Sequence, residues 1–312
     1  MSARPTGAAS AIEAPGLGVA PRARLVVADY FELTKPKVQS LLLLSTIATM
    51  YVAGDPSALL VALTCLGGYL SAGGAGAVNH WFDRDIDARM ARTASRPIPA
   101  GRVSPRAALL FGCALAGLSF LELSAAVNVL AASLSFAGFL GYVLVYTVWL
   151  KRRTPQNIVI GGAAGAVPPL VGWAAVTGSV SGTAVILFFI VFFWTPPHFW
   201  ALSLLMKDEY AKVGVPMLPV VRGEAETRRQ ILLYTVLLYA VTQLPFCAGG
   251  FGAIYLVASM LLGFGFIAGA IRLQRRAGRS RTIGRRSALQ LYLFSLLYLA
   301  LLFCAMVADV HL

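Results

Sequence analysis

Residues 58–87, ALLVALTCLGGYLSAGGAGAVNHWFDRDID, decide the fold class because a long apolar run ends there in three aspartates. A membrane-spanning helix needs about 20 mostly apolar residues. Residues 58–82 supply them without an Asp, Glu, Lys or Arg. The same alternation of apolar runs and short polar segments continues along the chain. The sequence therefore predicts an all-α integral membrane protein.

The composition excludes an ordinary soluble domain. Hydrophobic residues make up 58% of the chain and charged residues 12%, about half the charged fraction of soluble domains. A net charge of +13 is also typical of nucleic-acid-binding proteins. Here, however, the basic residues form short clusters between apolar runs, as in the cytoplasmic loops of membrane proteins. We expect membrane lipid, and no nucleic acid, as a partner.

The apolar runs predict nine transmembrane helices. Residues 1–24 lack the apolar core of a signal peptide and predict a disordered tail, which leaves 25–312 as a single polytopic domain. The predicted spans are 38–53, 58–82, 107–122, 126–150, 156–177, 183–206, 231–249, 251–271 and 288–308.

The basic residues predict the orientation of these helices. With nine spans, all 26 Lys and Arg fall on one side of the membrane, in five polar segments. The positive-inside rule then gives a cytoplasmic N-terminus and an outside C-terminus. Because the first residues lack an Arg-rich amphipathic presequence, we expect a bacterial inner (plasma) membrane with the polar site facing the cytoplasm.

One group of acidic residues follows the second predicted span. Asn79, Asp83 and Asp87 are spaced by four, so they share one face if the helix continues, whereas Asp85 points elsewhere. Carboxylate and amide oxygens suit Mg²⁺. The alternative interpretation is a juxtamembrane charge ladder, in which the carboxylates pair with the arginines that follow, namely Arg84, Arg89 and Arg92.

A second acidic group follows the sixth predicted span, where Asp208 and Glu209 lie between Lys207 and Lys212. Acids that hold a metal, beside cations that hold phosphate oxygens, are typical of a site for a metal–diphosphate. The alternative is that the cations only retain the loops in the cytoplasm and contact anionic lipid.

Prolines predict broken helices and a cavity within the membrane. Pro168-Pro169 and Pro196-Pro197 interrupt the fifth and sixth spans, and backbone groups freed at membrane depth are tolerated where they line a cavity. His198 lies beside the second pair. An ionisable residue inside a span is a candidate functional residue. Alternatively, it is a neutral histidine bonded to a carbonyl that the proline kink frees.

The first acidic group resembles the first aspartate motif of the UbiA superfamily of intramembrane prenyltransferases. Asn79-x3-Asp83-x3-Asp87 is followed by Arg92-Thr93-x2-Arg96-Pro97. The resemblance runs from about residue 30 to the C-terminus. It is closest to the branch of the family that acts on heme, in the segments 33–36, 154–162, 194–200 and 207–219.

This resemblance implies a nine-helix ring around a central cavity that opens into the membrane. It further implies that Mg²⁺ binds farnesyl diphosphate and that the farnesyl group passes to a vinyl group of heme B. The product, heme O, serves terminal oxidases, which implies heme A synthase or oxidase-assembly proteins as partners. In many family members a second Asp lies four residues after the first in the later motif, where this chain has Lys212.

The resemblance also implies residue roles. Metal ligands are expected at Asn79, Asp83, Asp87, Asp208 and Glu209, with Asp83, Asp87 and Asp208 as the catalytic residues. Substrate contacts are expected from Asn79, Lys35, Arg84, Arg92, Arg96, Asn157, His198, Lys207 and Lys212.

Two other functions compete with this one. A prenyltransferase of the same superfamily for another aromatic acceptor, such as 4-hydroxybenzoate, would share the acidic motif. A cation-coupled membrane transporter would share the broken helices and intramembrane polar residues. The acids cluster at one membrane face rather than at the midplane, which argues against a transporter.

Overall fold

The computed structural model describes residues 19–276 and 281–312, and all regular elements in them are helices. A π-helical segment, Gly141–Leu150, continues α6. The helices are α1 (Val19–Leu33), α2 (Pro36–Ala53), α3 (Ala58–Phe82), α4 (Arg84–Asp87), α5 (Pro105–Ala126), α6 (Val129–Leu140), α7 (Asn157–Gly165), α8 (Pro168–Thr177), α9 (Gly182–Leu205), α10 (Lys207–Lys212), α11 (Leu218–Val221), α12 (Gly223–Cys247), α13 (Ala253–Arg276) and α14 (Arg281–His311).

Eight helices in the described ranges are long and apolar enough to cross a membrane, and they correspond to eight of the nine predicted spans. The predicted span 38–53 is helix α2, which has 18 residues and is not among the eight. Its first turns carry the polar residues Lys37 and Gln39. The eight are Ala58–Phe82, Pro105–Ala126, Val129–Leu150, Asn157–Thr177, Gly182–Leu205, Gly223–Cys247, Ala253–Arg275 and Gly284–His311.

The N-terminal region differs in part from the predicted tail. Residues 1–18 lie outside the described residues, but α1 begins at Val19, so residues 19–24 are helical. Pro21 in the first turn is compatible with this helix, because the first N–H groups of a helix have no intrahelical acceptor.

Helices α3 and α5 pack closely through small residues. A Cβ atom added at Gly74 would lie 2.6 Å from the carbonyl oxygen of Gly112, and one added at Gly112 would lie 2.9 Å from that of Gly74. The Ser119 hydroxyl donates a 2.7 Å hydrogen bond to the carbonyl of Gly67 on the facing helix. Small residues and such hydrogen bonds are how helices associate in lipid, where the hydrophobic effect gives no drive.

The outer surface of the bundle is apolar. Leu110, Leu121 and Leu261 are each 65–70% exposed, an arrangement that suits hydrocarbon rather than water. Buried residues form the contacts between helices, with a large cluster involving α9, α12, α13 and α14.

One of the two predicted helix breaks is present. A break at residues 166–167 separates α7 from α8, which begins at Pro168. The second predicted break is absent, because helix α9 continues through Pro196 and Pro197, although prolines cannot donate backbone hydrogen bonds. The Thr195 hydroxyl, just before them, donates to the carbonyl of Val191 at 2.9 Å.

Candidate active site

The three residues of the first acidic group lie on one face, as their spacing predicts. Backbone hydrogen bonds from Asp83 N to Asn79 O (2.9 Å) and from Asp87 N to Asp83 O (2.8 Å) keep the helical register across the junction of α3 and α4. All three are buried, with exposures of 3%, 1% and 4% for Asn79, Asp83 and Asp87. Asp85 faces outward, and its side chain is 53% exposed.

Asn79 and Asp83 are joined to the start of α2 and to the π-helical segment. Lys35 Nζ donates to Asn79 Oδ1 at 2.6 Å. Asn79 Nδ2 lies 2.8 Å from Asp83 Oδ2 and 3.1 Å from Thr147 Oγ1. The Lys151 ammonium pairs with Asp83 Oδ2. Three separate segments of the chain therefore meet at Asp83.

The loop after α4 folds back onto Asp87. Arg96 donates to Asp87 Oδ2 at 2.6 Å, and the Thr93 hydroxyl donates to the Asp87 carbonyl at 2.9 Å. The cations that pair with the buried carboxylates are thus Lys151, Arg152 and Arg96, not the arginines of the charge-ladder alternative.

Asp85 and Arg152 form an ion pair on the outer side of this group. The guanidinium lies 2.6 and 2.8 Å from the two carboxylate oxygens and 4.8 Å from the Phe82 ring centre. The hydrogen bond from Arg152 holds the pKa of Asp85 below its usual range. Arg152 also lies 3.6 Å from Asp83 Oδ1, an oxygen that accepts no hydrogen bond.

Lys35 has a strained backbone. Its φ of 55° and ψ of 55° lie in the left-handed region, and it is the one non-glycine residue with positive φ in the described chain. Such conformations cost about 1–2 kcal/mol and cluster at functional sites. Burial, and then repulsion from Arg96 and Lys151, lowers the pKa of Lys35 to about 7.

A largely apolar cavity of about 220 Å³ lies beside this group, between α2, α3, α6 and the α7–α8 pair. Its polar lining residues include Thr34, Lys35, Gln39 and Tyr142. Lys35 lines this cavity and also donates to Asn79, so it links the cavity wall to the acidic group. Small residues leave the space open, namely Gly68, Ser71, Ala72, Ala75, Gly76, Ser135, Gly138 and Gly165.

Three further residues that were expected to contact substrate lie in three different environments. Arg84 turns away from the cavity and donates to the Trp81 carbonyl at 2.7 Å. Arg92 is exposed. Asn157 is fully buried; its Nδ2 donates to the Lys151 carbonyl at 3.3 Å, and its Oδ1 accepts no hydrogen bond.

The second acidic group divides between two places. Glu209 Oε2 accepts a 3.1 Å hydrogen bond from the backbone N of Ala91, in the loop after the first motif. The other carboxylate oxygen, Oε1, lies 3.6 Å from Lys212 Nζ. Asp208 and Lys207 instead line a separate pocket of about 80 Å³. The rest of that pocket consists of Leu204, Leu205, Glu224, Arg228, Leu273, Gly284, Arg285 and Ala288.

The different locations of Glu209 and Asp208 matter because both residues were expected to be metal ligands. Within residues 19–276 and 281–312, no three His, Cys, Asp or Glu side chains come together closely enough to hold a metal ion. The structure brings Asn79, Asp83 and Asp87 together, and Asp208 lines the separate pocket.

His198 packs against α14. Its Nδ1 lies 2.7 Å from Ser295 Oγ, and its ring stacks between Trp194 (4.2 Å) and Tyr292 (4.9 Å). Because Ser295 Oγ donates to the Tyr292 carbonyl at 2.6 Å, it accepts from His198 Nδ1. The partner is a hydroxyl, not a carbonyl freed by the proline kink, and Nε2 is left as an acceptor.

A model of the UbiA prenyltransferase family matches residues 42–297. The chain belongs to this family.

Two relatives with similar sequences have the same name. A protein of Chloroflexus aurantiacus named protoheme IX farnesyltransferase is 54% identical over 297 residues, which cover 94% of this chain and 49% of that protein. Another of that name, from Symbiobacterium thermophilum, is 53% identical over 287 residues, 91% of this chain and 95% of that protein. The chain therefore spans about half the length of the Chloroflexus relative.

Solved structures share the fold. A digeranylgeranylglyceryl phosphate synthase superposes with a TM-score of 0.74 at 20% identity, covering 92% of this chain and 99% of that one. A UbiA homolog from Archaeoglobus fulgidus bound to DMAPP and Mg²⁺ gives a TM-score of 0.65 at 17% identity, covering 89% of this chain and 99% of that one.

Three side chains around the UbiA motif were not among the predicted site residues, namely Tyr142, Thr147 and Lys151. A signal existed for Lys151, which belongs to a basic segment on the same predicted side of the membrane as the acids. For the other two residues no spacing in the sequence indicated the site.

Proposed function

We propose that this chain transfers the farnesyl group of farnesyl diphosphate to a vinyl group of heme B, giving heme O. The observation that carries the proposal is that Lys35 both lines an apolar cavity and contacts a buried, charged group. A prenyl diphosphate has these two parts, an anionic head and an apolar chain. The acceptor is inferred from the name of the relatives at 53–54% identity.

The residues present fit a divalent cation that binds together with the diphosphate. Asp83 and Asp87 are buried carboxylates, and Asp83 Oδ1 accepts no hydrogen bond. Mg²⁺ commonly takes one or two carboxylates and completes its shell with phosphate oxygens and water. We therefore assign Mg²⁺ to Asp83 and Asp87, with Asn79 beside them. When bound, it neutralises charge on the departing diphosphate.

The cations of the site hold the diphosphate. Lys35, Lys151 and Arg96 converge on Asn79, Asp83 and Asp87, so they are within reach of an anion that binds there. Charge-assisted hydrogen bonds to phosphate oxygens are strong. Donors fixed in advance around the leaving group stabilise it as its charge develops.

The reaction breaks the C–O bond of farnesyl diphosphate, and the electron pair leaves with the diphosphate. The vinyl group of heme B then attacks the allylic cation and forms a C–C bond. The positive charge left on the former vinyl carbon is quenched by a water oxygen, which loses one proton. The apolar wall of the cavity protects the first cation from premature attack by water.

We further propose nine membrane crossings, with α2 as the first, a cytoplasmic N-terminus and an outside C-terminus. The support is the distribution of charge, because this arrangement puts all 26 Lys and Arg on one side. The active site then faces the cytoplasm of a bacterial cell, in its inner membrane. Heme A synthase and oxidase-assembly proteins, which use heme O, are the expected partners.

A competition assay tests the proposal. Membranes containing the protein are supplied with labelled farnesyl diphosphate, Mg²⁺, and equal amounts of heme B and 4-hydroxybenzoate. We expect label in the hemin fraction. Label only in the benzoate would overturn the choice of acceptor, and absence of label from both with correctly folded protein would overturn the enzyme itself.

A further inference from the structure

The π-helical segment Gly141–Leu150 runs alongside the end of α3 that carries the first acidic group. Asn79 Nδ2 donates to Thr147 Oγ1 at 3.1 Å, and the Lys151 ammonium, just after the segment, pairs with Asp83. The two residues on α3 are four apart, and so are the two that face them. The π-helical segment and α3 therefore follow one another in register along the site.

The winding of the segment puts these side chains on one face. Tyr142, which lines the cavity beside the acidic group, lies nine residues before Lys151. In an α-helix, with 3.6 residues per turn, nine residues make about two and a half turns, so the two would point to opposite sides. A π-helix joins residues five apart, as in the 2.8 Å bond from Lys151 N to Tyr146 O. With about one residue more in each turn, nine residues make about two turns and return to the same side.

The other face of the segment is exposed on the apolar surface of the bundle. Leu144, Val148 and Trp149 are 53%, 40% and 55% exposed. Trp149 lies seven residues after Tyr142, which in an α-helix is about two turns and would put it on the side of the cavity. Its exposure agrees with the wider winding through to the end of the segment.

Asn157 holds the end of this segment. Its side chain is fully buried, and its Nδ2 donates to the carbonyl of Lys151 at 3.3 Å. The last carbonyls of a helix have no acceptor role within it, and this amide bonds to one of them at the residue whose ammonium pairs with Asp83. Helix α7, which begins at Asn157, also packs against the segment, because a Cβ atom added at Gly161 would overlap the ring of Tyr146.

We propose that Asn157 is a positioning residue, which holds the backbone of Lys151 at the end of the π-helical segment and so keeps the Lys151 ammonium against Asp83. This role differs from the substrate contact that the family resemblance implies for Asn157. The inference rests on the proposed function in one respect, namely that the Lys151 ammonium also holds a diphosphate. The effect of Asn157 on diphosphate binding then passes entirely through Lys151.

A double-mutant cycle tests this role. Asn157→Ala removes the amide, Lys151→Gln removes the charge but keeps a hydrogen-bond donor, and a third variant carries both changes. The affinity of each full-length protein in detergent for inorganic diphosphate with Mg²⁺ is measured, together with its melting temperature. Asn128→Ala is the matched control, since the Asn128 amide also donates to a backbone carbonyl, that of Ala174 at 2.8 Å, but lies before the other end of α6.

We expect Asn157→Ala to weaken diphosphate binding by about 3- to 10-fold and Lys151→Gln by about 10- to 100-fold. The double variant should bind no more weakly than Lys151→Gln alone, because residues that act through one another are not additive. Asn128→Ala should lower the melting temperature and leave the affinity unchanged. Effects that multiply in the double variant, or wild-type affinity in Asn157→Ala, would overturn the inference.

The winding of the segment is measured separately, without a change at the site. In vesicles whose acyl chains are brominated, tryptophan fluorescence of the wild type should be quenched more than that of Trp149→Phe, because Trp149 faces lipid. Equal quenching of the two proteins would overturn the inference, since the segment would then not be wound as a π-helix.

Farnesyl transfer to heme B by the same variants separates this inference from the proposed function. Diphosphate binding that follows the expected pattern in a protein that transfers no farnesyl group would support the inference and overturn the proposed function. Farnesyl transfer by the wild type, together with effects that multiply in the double variant, would overturn the inference alone. A folded wild type that binds no diphosphate would overturn both.

Discussion

At the scale of single residues, Asp83 is the position on which most of the site depends. It accepts hydrogen bonds from Asn79 and Lys151, and its Oδ1 is buried and accepts none. Asp83→Asn keeps the shape of the side chain but removes its charge. We expect turnover to fall by about 100-fold or more, with the protein still folded in membranes.

Asp85→Asn is the matched control for this change. Asp85 is two residues away, exposed, and paired with Arg152 outside the buried group. Farnesyl transfer in isolated membranes should stay near the wild-type rate, because exposed ion pairs contribute little. Equal activity in the two variants would contradict the role given to Asp83.

Two variants at Lys35 separate the effect of its strained backbone on stability from the role of its ammonium group in activity. Lys35→Ala and Lys35→Gly both remove the contact with Asn79, so both should lose most farnesyl transfer. Only glycine adopts a φ of 55° without penalty. We expect Lys35→Gly to be the more stable by about 1 kcal/mol, measured as a higher melting temperature in detergent. An alanine variant that melts at the same or a higher temperature would show that the strain is absent.

At the scale of helices, the contact between α3 and α5 fixes the end of α3 that carries Asn79. A methyl group added at Gly112 would lie 2.7 Å from Val78 Cγ2 and 2.9 Å from the Gly74 carbonyl, whereas one added at Gly117 meets nothing within 4 Å. We expect Gly112→Ala to lower the melting temperature and the activity, because the helices must separate.

Gly117→Ala, on the same helix, provides the comparison. It should leave the activity unchanged and leave the melting temperature unchanged or slightly higher, since alanine favours helices by up to about 1 kcal/mol relative to glycine. Equal melting temperatures for the two variants would contradict the tight packing of α3 on α5.

Helices were more predictable from sequence than contacts between them. Apolar length is a local property, so eight predicted spans correspond to helices of the structure. The shared face of Asn79, Asp83 and Asp87 followed from their spacing of four. Lys151 lies 68 residues from Asp83, and Ala91 donates a hydrogen bond to Glu209, 118 residues further along the chain. No periodicity in the sequence reports such long-range pairings.

Asp208 shows what remains to be tested. The resemblance implies that Asp208 supplies a second half of the metal site, and in the structure it lines the pocket that also contains Glu224 and Arg228. Metal ligation by Asp208 stays a prediction.

At the scale of the whole molecule, the number of crossings depends on α2. Single cysteines at Lys37, in the first turn of this helix, and at Asp55, just after its end, can be compared in a variant without the four native cysteines. If α2 crosses the membrane, an impermeant maleimide added to intact cells should label position 55 and leave position 37 unlabelled until the cells are opened. Equal labelling of both positions in intact cells would mean that α2 does not cross.

The most direct test of the whole account is the mass of hemin after reaction. Purified protein is incubated with heme B, farnesyl diphosphate and Mg²⁺, and the hemin is extracted for mass spectrometry. We predict a species heavier by one farnesyl and one hydroxyl group, which is absent when EDTA is added or when Asp83→Asn replaces the wild type. Heme B recovered unchanged from folded wild-type protein would contradict the assignment of this family member to heme O synthesis.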